Sequence, residues 1–269
     1  MPRSVPHASP GAGWAMRISS LSQIADQFDA MIIDQFGVIH DGRSLYPGTR
    51  NVLRELKSRA IRVAVMTNSG KRTAANLERL LSLGLWRDDF DAVISSGEVA
   101  YHRYKSKRAF LIGKAGEDYG FEGVTFVEQF KDAEVILILG TNYPATSLDD
   151  YRRLFTGVTL PAVCCNPDRL MLTPEGLAPA PGAIAALYEE MGGEVCWIGK
   201  PYPEIYRRAL DLLPPARRVL CVGDSAEHDV AGGRAAGLST LLIMTGVSAG
   251  LDSRTLTPQP DYVASTFDW

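Results

Sequence analysis

Seven residues of this sequence close apolar runs in types that could do chemistry together: Asp34, Thr67, Asn68, Ser69, Lys200, Asp224 and Asp229. Asp34 ends the run AMIID, Thr67 to Ser69 end RVAVMTNS, and Lys200 follows EVCWIG. Asp224 follows VLCVG, and Asp229 lies five residues further on. Three carboxylates brought to one place need a cation in order to coexist, and hard oxygen donors suit Mg²⁺. Adding a lysine and hydroxyl and amide donors makes the set suitable for a phosphate group. Any one of these aspartates is equally what a helix cap or a turn uses. Four such endings on four different runs set this chain apart from one with scattered caps and turns.

The elements that must position them follow from the periodicity. Short, near-continuous apolar runs alternate with helical stretches from residue 30 to about residue 98, and again towards the C-terminus. That alternation predicts parallel strands with helices on both faces: an α/β fold with a doubly wound, Rossmann-like core. In such a sheet, ligands sit beyond the carboxyl ends of the strands, where the seven residues fall. TRNVLRELKSRA is predicted to be helical, with Val52, Leu53, Leu56 and Ala60 on one face. Between the two core stretches lie the strand-like runs AFLIG, VTFVE, AEVILILG and PAVCC, a helix SLDDYRRLF, and LMLTPEGLAP, which reads as a hairpin or a short strand with a turn at Pro174 to Gly176. This block is long enough to be an inserted α/β domain. The expected partition is a disordered tail at 1–17, a core at 18–98 and 188–269, and an insert at 99–187.

Composition narrows the function. The chain has 269 residues, a formal charge of −3 and 46% hydrophobic residues, enough to bury a large core. It lacks the basic stripe of a nucleic-acid binder, and RYKSKR (Arg103 to Arg108) reads as a solvated helix end. No apolar run approaches the ~18 residues that a membrane span needs. Cys164, Cys165, Cys196 and Cys221 form no CxxC pair and read as reduced thiols, so a cytoplasmic protein is expected. The first sixteen residues are rich in Pro, Gly and Ser and do not read as a secretory signal. His7, His40, His102 and His228 show no zinc-ligand spacing and read as surface or packing residues. SGKRT has the Gly-Lys of a phosphate-binding loop, but Val65 stands where its first glycine belongs.

Taken together, the motifs resemble those of the haloacid dehalogenase-like (HAD) hydrolase superfamily, and in particular its class IIA branch of phosphatases with a large α/β cap. The resemblance runs from about residue 28 to the end. It is carried by DQFGV, VMTNSG, IGKP and GDSAEHD, with GGRAAG downstream. The insert corresponds to the cap, and CNPD (Cys165 to Asp168) is similar to a cap loop that meets substrate. The resemblance implies a nucleophilic Asp34 that forms an aspartyl-phosphate. It implies Mg²⁺ held by Asp34, the main-chain carbonyl of Phe36 and Asp224, with Asp229 either a ligand or the partner of Lys200. Thr67, Asn68 and Lys200 would bind the phosphoryl group, and Asn166 and Asp168 would contact substrate. A small phosphorylated metabolite is the implied partner, and a homo-oligomer is compatible with the branch.

Phe36 departs from the pattern. Phosphatases of the superfamily carry Asp at this position as the general acid and base, and a phenyl ring cannot transfer a proton. Such help is typically worth ~10²–10⁴ in rate, roughly 3–5 kcal/mol of barrier. The expectation is therefore a Mg²⁺-dependent phosphoryl hydrolase that favours leaving groups needing no proton, such as those of aryl phosphates, acyl phosphates and anhydrides. His40 or Asp41, in the same turn, would be the substitutes for the missing acid. A non-catalytic phosphometabolite-binding protein is the second reading. A metal-free dehalogenase, which tolerates an aromatic residue at this position, is the third.

Overall fold

The structure is a computed structural model that describes residues 15–173 and 176–269. The expected tail therefore lies mostly outside the described residues. Strands β1 (Met16–Arg17), β2 (Ala30–Asp34), β3 (Arg62–Thr67) and β4 (Ala92–Ser95) come first, with helices α1 (Thr49–Ser58), α2 (Thr73–Ser82) and α3 (Ser96–Tyr104). The middle of the chain forms β5 (Arg108–Ile112), β6 (Thr125–Val127), β7 (Val135–Ile138), α4 (Leu148–Leu154) and β8 (Ala162–Cys164). It continues through the hairpin strands β9 (Leu170–Thr173) and β10 (Gly176–Pro179) to α5 (Pro181–Glu190) and β11 (Val195–Trp197). The chain closes with α6 (Pro203–Leu212), β12 (Val219–Gly223), α7 (Ala231–Ala235), β13 (Ser239–Ile243) and β14 (Tyr262–Ala264).

Apart from the antiparallel β9/β10 hairpin, the strands form two parallel sheets. One runs β1-β14-β13-β12-β2-β3-β4 and the other β11-β8-β7-β5-β6. In the first, the strand order proceeds outward in both directions from the β12/β2 pair, which makes this pair the switch point where α/β sheets bind ligands. Alternation along β2 and β3 divides the interior. Met31, Ile33, Val63 and Val65 join Val52, Leu53 and Leu56 of α1 and Leu80 of α2. Ala30, Ile32, Ala64 and Met66 join α3 and α6 through Val99, Ala100, Ile205, Tyr206 and Ala209. The second cluster continues into the insert through Leu137, Leu139, Val163 and Cys165, so the two sheets share one buried layer. The insert's other face packs Ile136, Ile138 and Cys164 on Tyr151, Phe155, Ile184 and Tyr188.

Three details differ from the sequence reading. Met16 and Arg17, expected in the tail, pair with Tyr262 and Val263 as an edge strand. The run EVCW, placed in the core by its position next to an apparent core helix, pairs with β8 of the insert. Ala60 is exposed rather than on the buried face of α1. That helix ends at Ser58, and Ala60 takes φ 56° as the chain reverses into β3.

Candidate active site

The sheet register brings the strand ends together. Asp34 is the last residue of β2, opposite Met66 on β3, while Val222 of β12 pairs with Ile33. Thr67 and Asp224 therefore lie just beyond Asp34 on its two neighbouring strands. A wide π-type turn over Ala226–Val230 carries Asp229 back towards them, a distortion often found at functional positions. Lys200 enters from the segment between β11 and α6. Its Nζ lies 2.7 Å from Asp34 Oδ1 and 2.8 Å from Asp229 Oδ1. Asp34, Asp224, Asp229 and Lys200 are all buried.

The electrostatics point to missing positive charge. Burial drives the Asp34 carboxyl well above the usual range for aspartate; Lys200 opposes this, while Asp229 and Asp224 add to it. Burial and Asp229 push Asp224 up to about 7. Burial alone would lower the pKa of Lys200, but Asp229 and Asp34 outweigh it and hold the ammonium charged. Asp34 and Asp224 are thus both pushed towards protonation. Oxygen atoms of Asp34, Asp224 and Asp229 lie within 4.8 Å of one another. A hard divalent cation fits this donor set, supplying the charge that the lysine does not.

The individual bonds separate the carboxylates. Asp34 Oδ1 accepts from Gln35 N–H at 2.7 Å as well as from Lys200, so Oδ2 is the oxygen left for other work. Asp229 uses Oδ1 for Lys200 and Oδ2 for the Ser225 N–H at 3.1 Å, which is the geometry of a group that holds the lysine. Asp224 Oδ2 accepts from Val247 N–H at 2.8 Å. Two glycines with positive φ press against this carboxylate. A Cβ on Gly37 would lie 2.1 Å from Asp224 Oδ2, and one on Gly246 would lie 1.8 Å from it and 2.8 Å from the Gly37 Cα. The turns after β2 and β13 are therefore packed back to back across Asp224, and Thr245 Oγ1 donates to the Gly37 carbonyl.

The phosphoryl-binding pair divides differently from the expectation. Thr67 Oγ1 accepts from Ser69 N–H at 3.3 Å, which leaves its own O–H free to donate. The Asn68 side chain is already engaged: Oδ1 accepts from Lys200 N–H at 2.7 Å, and Nδ2 donates to the Lys200 carbonyl and to Asp168 Oδ1, both at 3.2 Å. Asn166 Oδ1 accepts from Asp168 N–H at 3.0 Å, a turn contact of the kind Asn-Pro-Asp makes. Asp168 reaches the core, where Oδ1 also lies 3.3 Å from His228 Nδ1.

The three aspartates, Lys200, Thr67, Asn68, Asn166 and Asp168 line one cavity of about 540 Å³, together with Phe36, Arg169, Leu170, Glu227, His228, Val247 and Leu251. Neither substitute acid borders it. His40 is buried, its Nδ1 accepts from Gly42 N–H at 2.9 Å, and burial followed by the nearby Arg79 lowers its pKa to about 4. Asp41 is exposed and accepts from the Arg43 and Ser44 N–H groups, closing its own turn. His228, read from sequence as a surface or packing residue, does line the cavity. Its one sequence signal was its place inside GDSAEHD. Arg169, Val247 and Leu251 carried no signal of their own.

Models of two HAD-type families match this chain. Residues 31–126 match the haloacid dehalogenase-like hydrolase family, and residues 197–269 match a HAD-hydrolase-like family. The chain belongs to the haloacid dehalogenase-like hydrolases and is a hydrolase. Among its relatives is a dihydroxyacetone phosphatase of Corynebacterium glutamicum, 26% identical over 87% of this chain and 88% of the relative. Another is a D-glycerol 3-phosphate phosphatase of Mycobacterium tuberculosis, 28% identical over 90% of this chain and 71% of the relative. A solved haloacid dehalogenase-like hydrolase from Brucella suis superposes with a TM-score of 0.83 at 26% identity, covering 93% of this chain and 99% of that one.

Proposed function

We propose that the protein is a Mg²⁺-dependent phosphatase that works through an aspartyl-phosphate on Asp34 and is selective for leaving groups that depart without a proton. The observation that carries this reading is the buried Asp34, held through one oxygen by Lys200 and Gln35 and packed against Asp224 and Asp229. In the first step Asp34 Oδ2 forms a bond to phosphorus as the bond from phosphorus to the leaving oxygen breaks, and the electron pair departs on that oxygen. In the second step water forms the new P–O bond, Asp34 is released as a carboxylate, and the water's proton passes to solvent. Lys200 and the Thr67 hydroxyl offset charge on the phosphoryl oxygens, and Asp229 and Asn68 hold Lys200 in place. Asp34, the Phe36 carbonyl and Asp224 would hold the Mg²⁺, whose contribution is to neutralise the charge of the carboxylates and the phosphoryl group.

The relatives named above are, by name, phosphatases of dihydroxyacetone phosphate and glycerol 3-phosphate, whose alkoxide leaving groups need a proton. Phe36 cannot supply one, and His40 and Asp41 lie away from the cavity. A small phosphorylated metabolite with an acidic leaving group follows as the substrate. Four unpaired cysteines support a reducing, cytoplasmic setting. The test is phosphate release from p-nitrophenyl phosphate, acetyl phosphate and a hexose phosphate, with and without Mg²⁺. Release from the first two, dependent on Mg²⁺ and lowered more than about 10³-fold in Asp34→Asn, is the expected result. Release that persists in Asp34→Asn would overturn the assignment of the nucleophile.

A further inference from the structure

The cavity that holds Asp34 has a second character at its mouth. Phe36 is 51% exposed, Val247 66%, Leu251 51% and Leu170 59%. These are four of the eleven large hydrophobic residues that stand exposed among the described residues, and all four line this one cavity. They come from three separate parts of the chain: the turn after β2, the turn after β13, and the start of β9 in the insert. The first two are locked together, since Gly37 and Gly246 meet across Asp224 and Val247 N–H binds its carboxylate. Phe36 is held edge-on against His40, with ring centroids 5.8 Å apart. The apolar rim is therefore a fixed part of the site and not a set of isolated surface residues.

We infer that the leaving group is an aromatic ring bearing an acidic hydroxyl, so that the substrate class is aryl phosphate monoesters, with the ring packed on Phe36 and the apolar rim. The inference rests on the phosphatase reading above and deepens it. Two independent features agree. Without a proton donor at position 36, a departing oxygen that is stable as an anion is favoured, which a phenoxide is and a sugar alkoxide is not. The space beyond the phosphoryl position carries four exposed apolar side chains beside the polar Arg169, Glu227 and His228, and the apolar group gives a flat hydrophobic ring a packing surface that a sugar bristling with hydroxyls does not use. Acyl phosphates satisfy the first feature but not the second, and this separates the two substrate classes. Phe36 becomes a residue that determines specificity through its side chain.

The experiment compares KM and kcat for p-nitrophenyl phosphate and acetyl phosphate in the wild type, Phe36→Ala, Phe36→Trp and Leu251→Ser. Removing an aromatic contact should raise KM for the aryl substrate about 3–10-fold more than KM for acetyl phosphate. Leu251→Ser should act in the same direction from a different segment, and Phe36→Trp should restore the aryl KM. Equal changes for the two substrates, or no change in any variant, would overturn the inference while leaving the phosphatase reading intact. If neither substrate is turned over, the phosphatase reading fails on its own, and calorimetry with phenylphosphonate and methylphosphonate still decides the ring site. Tighter binding of phenylphosphonate by about tenfold supports it, and equal binding overturns it.

Discussion

The two ends of the cavity are built on opposite principles. At the phosphoryl end every group is buried and charged or hydrogen-bonded: Lys200 bridges Asp34 and Asp229, Asp224 accepts from Val247 N–H, and Asn68 spans from the core to the insert. At the leaving-group end the ring of Phe36 stands half exposed beside Val247 and Leu251. The first end costs stability, because like charges are confined in a medium that solvates them poorly. The second costs little and contributes shape. The contrast sets buried, charged groups that would handle a phosphoryl group against an aromatic ring, which cannot donate a proton, at position 36.

The strongest test of that contrast is Lys200→Met. It leaves Asp34 and Asp229 buried without their cation, which should cost about 3–5 kcal/mol in stability, read from urea denaturation. Added Mg²⁺ should restore part of this loss, because the carboxylates then have another partner. A variant as stable as the wild type would mean that the acids are already neutral, and the comparison would lose its first term.

Phe36→Asp addresses the other end. Because the side chain is half exposed, the carboxylate is solvated, and hydrolysis of a hexose phosphate should rise by about 10²-fold or more. The aryl substrate should gain far less, and convergence of the two rates would account for the selectivity assigned to the missing acid. A parallel rise for both substrates would break the link between Phe36 and leaving-group choice.

The smallest effect concerns His40, which lies under Phe36 and stays neutral. In the unfolded chain it titrates near its ordinary value of 6.5, and in the folded state near 4. Neutral His40 therefore contributes stability in full above about pH 6.5, and that contribution is lost as the pH falls towards 4. The loss should reach about 2 kcal/mol by pH 5. His40→Asn retains an acceptor for the Gly42 N–H and does not titrate, so wild type should lose this amount relative to the variant between pH 7 and pH 5. An unchanged difference would mean that the ring is charged or accessible.

Much of this was legible in the sequence because it depends on local pattern. Apolar runs ending in Asp34, Thr67 and Asp224 specify buried parallel strands, and in such a sheet their ends converge. The hairpin over Leu170 to Pro179 was likewise readable from its turn residues. The run before Lys200 was not, because an apolar strand of three residues fits either sheet, and only packing on β8 assigns it to the insert. His228 and Arg169 were missed for a related reason. One lies within a motif whose acids drew attention first, and the other follows a loop that gains meaning only when the insert faces the core.

The sequence by itself determined the fold class, the acids and the lysine at the strand ends, and the absence of a proton donor at Phe36, because residue type and strand periodicity are local properties. The tertiary structure decided which oxygen of Asp34 is free, that Asn68 holds Lys200, that His40 and Asp41 lie away from the cavity, and that four exposed apolar side chains form its mouth. Those facts depend on distances between segments far apart in the chain, which are set by packing and have no counterpart in the order of the residues.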